Sequence, residues 1–193
     1  MKEQYYRTFI GVPLRVGPLF LEAREELMEI LAGERISWVH PSRYHVTMRF
    51  IGNTRQPAIS RISRALEETT ETPVKQHITL GDLGSFGDRV QPRVLWVGVR
   101  QPEFLNRLKE MTDAALDKCG IRPEKRVFSP HLTLGRIRNR VDPAALQSAV
   151  KTMKDRFGQE VLLDRLVYFR SEPGNGGPVY TPISSLMFRD QEV

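Results

Sequence analysis

A chain of 193 residues, 40% hydrophobic and 27% charged, is long enough to bury a sizeable core without covalent staples. Its 14 glycines and 13 prolines exclude a collagenous or low-complexity protein, and the single cysteine, Cys119, excludes an internal disulfide and a cysteine-based zinc site. Lys+Arg 29 against Asp+Glu 23 leaves a net charge of +6, which favours anionic partners, nucleic acid commonest among them, although charge alone is a weak signal.

Residues 5–12 are a β-rich run, and 18–31 carry Leu19, Leu27, Ile30 and Leu31 at helical spacing with Gly33 as a stop. A short strand fits 37–39, a turn follows at Pro41-Ser42, and 44–51 form a strand closed by Gly52-Asn53. Ile59, Ile62 and Leu66 make one helical stripe within 57–68. Residues 74–83 alternate as a strand that Gly84-Ser85-Phe86-Gly87 breaks, and 94–99 are a strongly apolar strand. Phe104, Leu105, Leu108, Met111, Ala115 and Leu116 stripe the helix 102–119, with Trp96 and Phe104 expected in the core. A strand over 130–137 precedes a helix that Asp142 caps and Pro143 opens, running to about Met153. Two strands, 161–170 and 179–188, joined by a turn-rich segment, complete about eight strands and four helices. Adjacent strands at the C-terminal end predict α+β rather than a doubly wound sheet. No apolar run approaches the roughly 18 to 20 residues that a bilayer needs, and no signal-peptide core follows Met1. The expectation is a cytoplasmic protein with no membrane partner.

Two segments are alike: His45-Val46-Thr47-Met48 and His131-Leu132-Thr133-Leu134. Alternation in a strand sets His45 and Thr47 on one face with Val46 and Met48 on the other, and the same holds in the second copy. An imidazole and a hydroxyl side by side, twice, on strands with apolar backs, fit one cleft lined from two sides. Such a pair suits acid–base phosphoryl transfer, because an unperturbed pKa of about 6.5 allows one imidazole to be neutral and the other protonated near neutrality. Thr47 and Thr133 can donate hydrogen bonds to phosphate oxygens, and Arg136 can add a full charge. Strict alternation places Arg136 on the face opposite His131, unless Gly135 allows a bulge. Two histidines alone are too few for a metal site, and neither motif contains Asp or Glu, so no metal is expected. His40 reads as a loop residue and His77 as a strand-surface residue. Arg136-Ile137-Arg138-Asn139-Arg140 is a basic cluster that either guides an RNA backbone or is a solvated loop.

The paired motifs resemble those of the two-histidine phosphoesterase superfamily, in particular the RNA 2′,3′-cyclic phosphodiesterases, also called 2′-5′ RNA ligases. The resemblance extends to Arg7-Thr8-Phe9-Ile10-Gly11-Val12, to Pro92-Arg93-Val94-Leu95-Trp96-Val97-Gly98-Val99 and to Phe128-Ser129-Pro130. It also covers the region of Tyr168 to Ser171 with Gly177-Pro178-Val179-Tyr180, and so nearly the whole chain, with Met48 where the family more often has Leu. It implies one bilobal α+β domain over 1–193, with two antiparallel sheets forming a V-shaped cleft and helices outside. It implies hydrolysis of a 2′,3′-cyclic phosphate end, on RNA or a nucleotide, to a 2′-phosphate without metal; separately, no cofactor and a monomeric state are expected. The reverse joining of a cyclic end to a 5′-hydroxyl follows from microscopic reversibility. By the same resemblance His45 is the general acid on the 3′-oxygen, His131 the general base for water, and Thr47, Thr133 and Arg136 hold the phosphate, while Phe9 (or Tyr6) either stacks on a base or is a core aromatic of the first strand. A non-catalytic RNA-binding module, and an enzyme acting on a cyclic or 2′-5′-linked small nucleotide, stand as alternatives.

Overall fold

The computed structural model describes residues 4–69, 71–87, 91–138 and 141–191. Its elements in order are β1 (Tyr5–Pro13), α1 (Pro18–Ile30), β2 (Ile36–Trp38), β3 (His45–Arg55), α2 (Gln56–Glu67), β4 (Gln76–Gly87), β5 (Pro92–Val99), α3 (Glu103–Asp117), β6 (His131–Ile137), α4 (Pro143–Thr152), β7 (Glu160–Leu163), β8 (Arg165–Glu172) and β9 (Val179–Met187). Prolines in the first turn open α1, α2 and α4, where a missing N–H costs nothing, and Asp142 caps α4 by accepting from the Ala144 N–H at 2.9 Å.

The strands follow the path β7-β4-β5-β6-β3-β1-β8-β9, with β2 on β6, and each of these pairings is antiparallel. Its middle is thin. Strands β6 and β3 meet only at Leu132 opposite Val46, so the path divides into two antiparallel half-sheets, β7-β4-β5-β6 and β3-β1-β8-β9. This is the α+β arrangement of two sheets expected from the sequence. The core lies on one face, where Ile10, Val12, Val46, Met48, Leu95, Val97, Leu132 and Leu134 pack with Leu27 of α1, Ile62 of α2, Leu105 of α3 and Ala149 of α4.

The connectivity repeats. A strand–helix–strand–helix–strand unit runs β1-α1-β3-α2-β4 and runs again as β5-α3-β6-α4 followed by β7 and β8. The last strand of each unit crosses to the other half-sheet, β4 onto β5 and β8 onto β1.

Three strands differ from their sequence pattern. Strand β3 does not close at Gly52-Asn53 but continues to Arg55, because Gly52 adopts φ 84° beside a bulge and the pairing with β1 resumes beyond it. Strand β4 runs through Gly84 to Gly87, and the glycine marks close approach instead of a break: a Cβ there would lie 2.5 Å from the Trp96 ring. The run 161–170 splits at Asp164, where the chain leaves β4 and joins β1 and β9.

Candidate active site

The two similar motifs begin the two strands at the seam. Val46 and Leu132 face each other there, 1% and 0% exposed, and their burial in the core turns the flanking histidines and threonines to the opposite face. Antiparallel register at that pair sets His45 across from Thr133 and Thr47 across from His131. The two imidazoles therefore stand on one diagonal, about 7–8 Å apart at the backbone in a regular ladder and wider where the strands part. They sense each other electrically, since the charge of His131 works against protonation of His45.

Both rings are held the same way. His45 Nδ1 lies 2.7 Å from the Arg43 carbonyl and His131 Nδ1 lies 2.7 Å from the Ser129 carbonyl. A carbonyl only accepts, so Nδ1 carries the proton in each ring and Nε2 is the nitrogen left for chemistry. A neutral ring then offers Nε2 as a base, and a protonated one offers it as an acid. Burial pushes the pKa of both imidazoles below the ordinary histidine value, and the carbonyl hydrogen bonds push back. The Arg136 charge adds to the lowering at both, joined by His131 at His45 and by Arg126 at His131.

Arg136 reaches this face through a bulge. Leu95 pairs with Gly135 and its neighbour Trp96 pairs with Thr133, so Leu134 is an extra residue in β6 and alternation is offset by one after it. Leu134, Gly135 and Ile137 are buried and Arg136 is exposed on the side of His131 and Thr133. Gly135 is needed as well, because the paired strand β2 lies so close that a Cβ would be 2.6 Å from Ile36 Cγ2. Strand β3 has the same bulge at Met48, between the pairs Ile10–Arg49 and Gly11–Thr47. Gly11 lies under the imidazole, where a Cβ would meet His45 Cδ2 at 3.3 Å.

Aromatic walls back the two histidines. On the first side Phe9, Phe169 and Tyr180 surround His45, with ring centroids at 4.9, 6.5 and 5.4 Å. Phe9 is only 4% exposed and stacks on Phe169 at 5.0 Å, so it backs the imidazole and has no free face for a base, which is the buried-aromatic reading of this position and not the stacking one. On the second side Phe86 packs edge-on to His131 at 4.7 Å, with Trp96 at 6.2 Å. Trp96 is thus a wall of the site and not a core residue. Strand alternation betrays it, since Leu95 and Val97 are the buried neighbours. Phe104 does pack against the core. Tyr180, Arg43 and Arg126 also escape sequence analysis, because only the fold brings them here. Burial raises the Tyr180 phenol, and the charges of Arg136, Arg43 and Arg7 partly offset this. A cavity of about 860 Å³ opens beside His45, lined among others by Arg43, Tyr44, Phe169, Val179 and Tyr180.

His40 caps the short turn Pro41–Arg43, its ring accepting from the Ser42 N–H, and lines the outer part of the cavity beside His45, whereas His77 of β4 pairs with Leu162 of β7, away from the site. Of the basic cluster, Arg138 reaches toward Ser37 at 3.5 Å, and residues 139 and 140 lie outside the described residues. Among the described residues no group of three or more His, Cys, Asp and Glu side chains is placed to hold a metal ion, and no helix is long and apolar enough to cross a membrane.

The family model for LigT-like phosphoesterases matches residues 10–96 and again 97–180, one match for each histidine motif, with the boundary inside β5. The chain is 37% identical over 131 residues to an RNA 2′,3′-cyclic phosphodiesterase of Bacillus subtilis, covering 66% of this chain and 69% of that one. It is 32% identical over 176 residues to an RNA 2′,3′-cyclic phosphodiesterase of Archaeoglobus fulgidus, covering 90% and 96%. In fold it resembles the crystal structure of TT0787 of Thermus thermophilus, with a TM-score of 0.72, 23% identity and coverage of 96% and 100%. It also resembles E. coli LigT complexed with 3′-AMP, with a TM-score of 0.68, 22% identity and coverage of 96% and 99%.

Proposed function

Because this chain belongs to the LigT-like phosphoesterases, as the match over both its repeats shows, we propose that it is an RNA 2′,3′-cyclic phosphodiesterase that opens cyclic ends to 2′-phosphomonoesters. The observation that carries the proposal is the pair of imidazoles on one diagonal, each with Nδ1 tied to a carbonyl and Nε2 turned to the shared face.

The chemistry follows from that geometry. One neutral Nε2 takes a proton from a water molecule as its oxygen attacks phosphorus. Opposite the incoming oxygen, the bond to the 3′-oxygen breaks, and a protonated Nε2 gives that oxygen its hydrogen. The phosphate stays on the 2′-oxygen, and one proton has entered and one has left. Thr47, Thr133 and Arg136 hold the non-bridging oxygens and meet the charge that grows on them. We assign the acid to His45 and the base to His131. The 3′-oxygen stays with the nucleoside, and the cavity that can take a nucleoside is lined by His45. His131 is the more open of the two, which leaves it accessible to the attacking water. Run backwards with a 5′-hydroxyl in place of water, the same groups join two ends through a 2′-5′ bond.

Both histidines come from one chain, so a monomeric single domain of two repeats is sufficient, and an RNA-end substrate is consistent with work in the cytoplasm. The test is incubation with 2′,3′-cyclic nucleotides and with RNA bearing a cyclic end, in the presence of chelator. A 2′-phosphate product from the RNA end is expected. No product, a 3′-phosphate, or a requirement for added divalent metal would refute the mechanism. Turnover of small cyclic nucleotides alone would shift the substrate class.

A further inference from the structure

Strands β1 and β3 extend well past the site, and their cleft face continues in a regular order. Antiparallel pairs share a face, so Gly11 with Thr47, Phe9 with Phe50, Arg7 with Asn53 and Tyr5 with Arg55 form one row leading away from Thr47. Beyond the buried Phe9 this row is exposed: Phe50 is 44% and Tyr5 47% exposed, and Arg7, Asn53 and Arg55 are exposed with them. The arginines are stacked in advance on the rings. The Arg7 guanidinium lies 4.9 Å from the Phe50 centroid and that of Arg55 lies 5.5 Å from the Tyr5 centroid, with Arg55 Nε donating to the Tyr5 hydroxyl at 2.8 Å. Neither strand contains an Asp or Glu.

We infer that this row is a track for the body of a single-stranded RNA whose cyclic end lies between the histidines. The inference rests on the proposed phosphodiesterase reading for the position of that end. Alternating rings and guanidiniums are the chemistry of sequence-tolerant single-strand binding, with bases stacking on aromatic faces and arginines meeting phosphates. From Gly11 to Tyr5 the strand spans about 20 Å, room for a few extended nucleotides. The row is continuous with the site through Phe50, and its positive charge matches a phosphate backbone and no apolar partner. It faces nucleotides preceding the terminal one, so it selects oligonucleotide ends over mononucleotides.

The experiment measures binding of a fluorescent single-stranded oligoribonucleotide carrying a terminal 2′-phosphate, by anisotropy, and separately the turnover of a 2′,3′-cyclic mononucleotide. Phe50→Ala and Tyr5→Ala should each weaken oligonucleotide binding roughly tenfold, Phe50→Trp should keep it, and added salt should weaken it in all. Wild-type and alanine variants with equal oligonucleotide affinity would overturn the track, whatever the turnover. Failure of the wild type to open the mononucleotide and a cyclic RNA end would overturn the phosphodiesterase reading, while the binding data still judge the track.

Discussion

Strands β3 and β6 share a local plan and then diverge. Each begins with an imidazole tied to the carbonyl two residues back, alternates His and Thr against the core, and bulges at the fourth residue. Past the bulge, β3 continues Arg49-Phe50 and β6 continues Gly135-Arg136. In β6 the core-side position is a glycine because the Ile36 side chain of the paired strand β2 fills that space, and the cleft-side position is the cation beside both histidines. In β3 the core-side position is Arg49, buried among Asp113, Glu124 and the Arg122 carbonyl, and the cleft-side position is the exposed ring of Phe50. A repeated scaffold supplies two imidazoles held alike, and differences at two adjacent positions give one half a cation beside them and the other half a buried anchor and an exposed ring.

That comparison can be broken most forcefully at the shared part. His45→Ala and His131→Ala should each lower turnover by roughly 10²- to 10⁴-fold with the fold retained by circular dichroism. A drop below tenfold for either would mean that the halves do not contribute alike. At the anchor, Arg49→Met strips a buried guanidinium from Asp113, which keeps Lys109 as a partner, and should cost about 3 kcal/mol in urea unfolding. Unchanged stability would show that the ion pairs linking β3 to α3 are dispensable. Arg136→Gln should slow turnover about 10²-fold at unchanged stability, and Arg136→Lys should recover only part, since a point charge replaces a fork of donors. A milder effect distinguishes the protonation states. Both imidazoles have lowered pKa values in the free protein, chiefly through burial, so the required imidazolium becomes scarce as pH rises past about 6.5. The kcat/KM profile should therefore peak on the acid side of that value and fall through pH 8, because the acid has lost its proton there. A profile that climbs from pH 6.5 to 8.5 would contradict the shared lowering.

Much of the site was legible from the motifs, because the two-residue period of a strand is local and dictates which of His45, Val46, Thr47 and Met48 share a face. The helices were legible for the same reason, from apolar stripes and first-turn prolines. The face of Arg136 was not, since the bulge at Leu134 depends on where Trp96 sits across the ladder. Gly84 looked like a strand break for want of the same cross-strand partner. The exchange of β4 and β8 between half-sheets, which brings Phe86 to His131 and Phe169 to His45, pairs residues far apart in the chain and leaves no local trace.

The proposed function requires that two rings, one from each repeat, close on a single tetrahedral or five-coordinate centre. A crystal structure with inorganic vanadate bound addresses this directly. Nε2 of His45 and Nε2 of His131 should each lie about 3 Å from different oxygens of the same vanadium, with both Nδ1 atoms still on the Arg43 and Ser129 carbonyls. An anion contacted by one imidazole alone, or either ring turned so that Nδ1 faces it, would contradict the account.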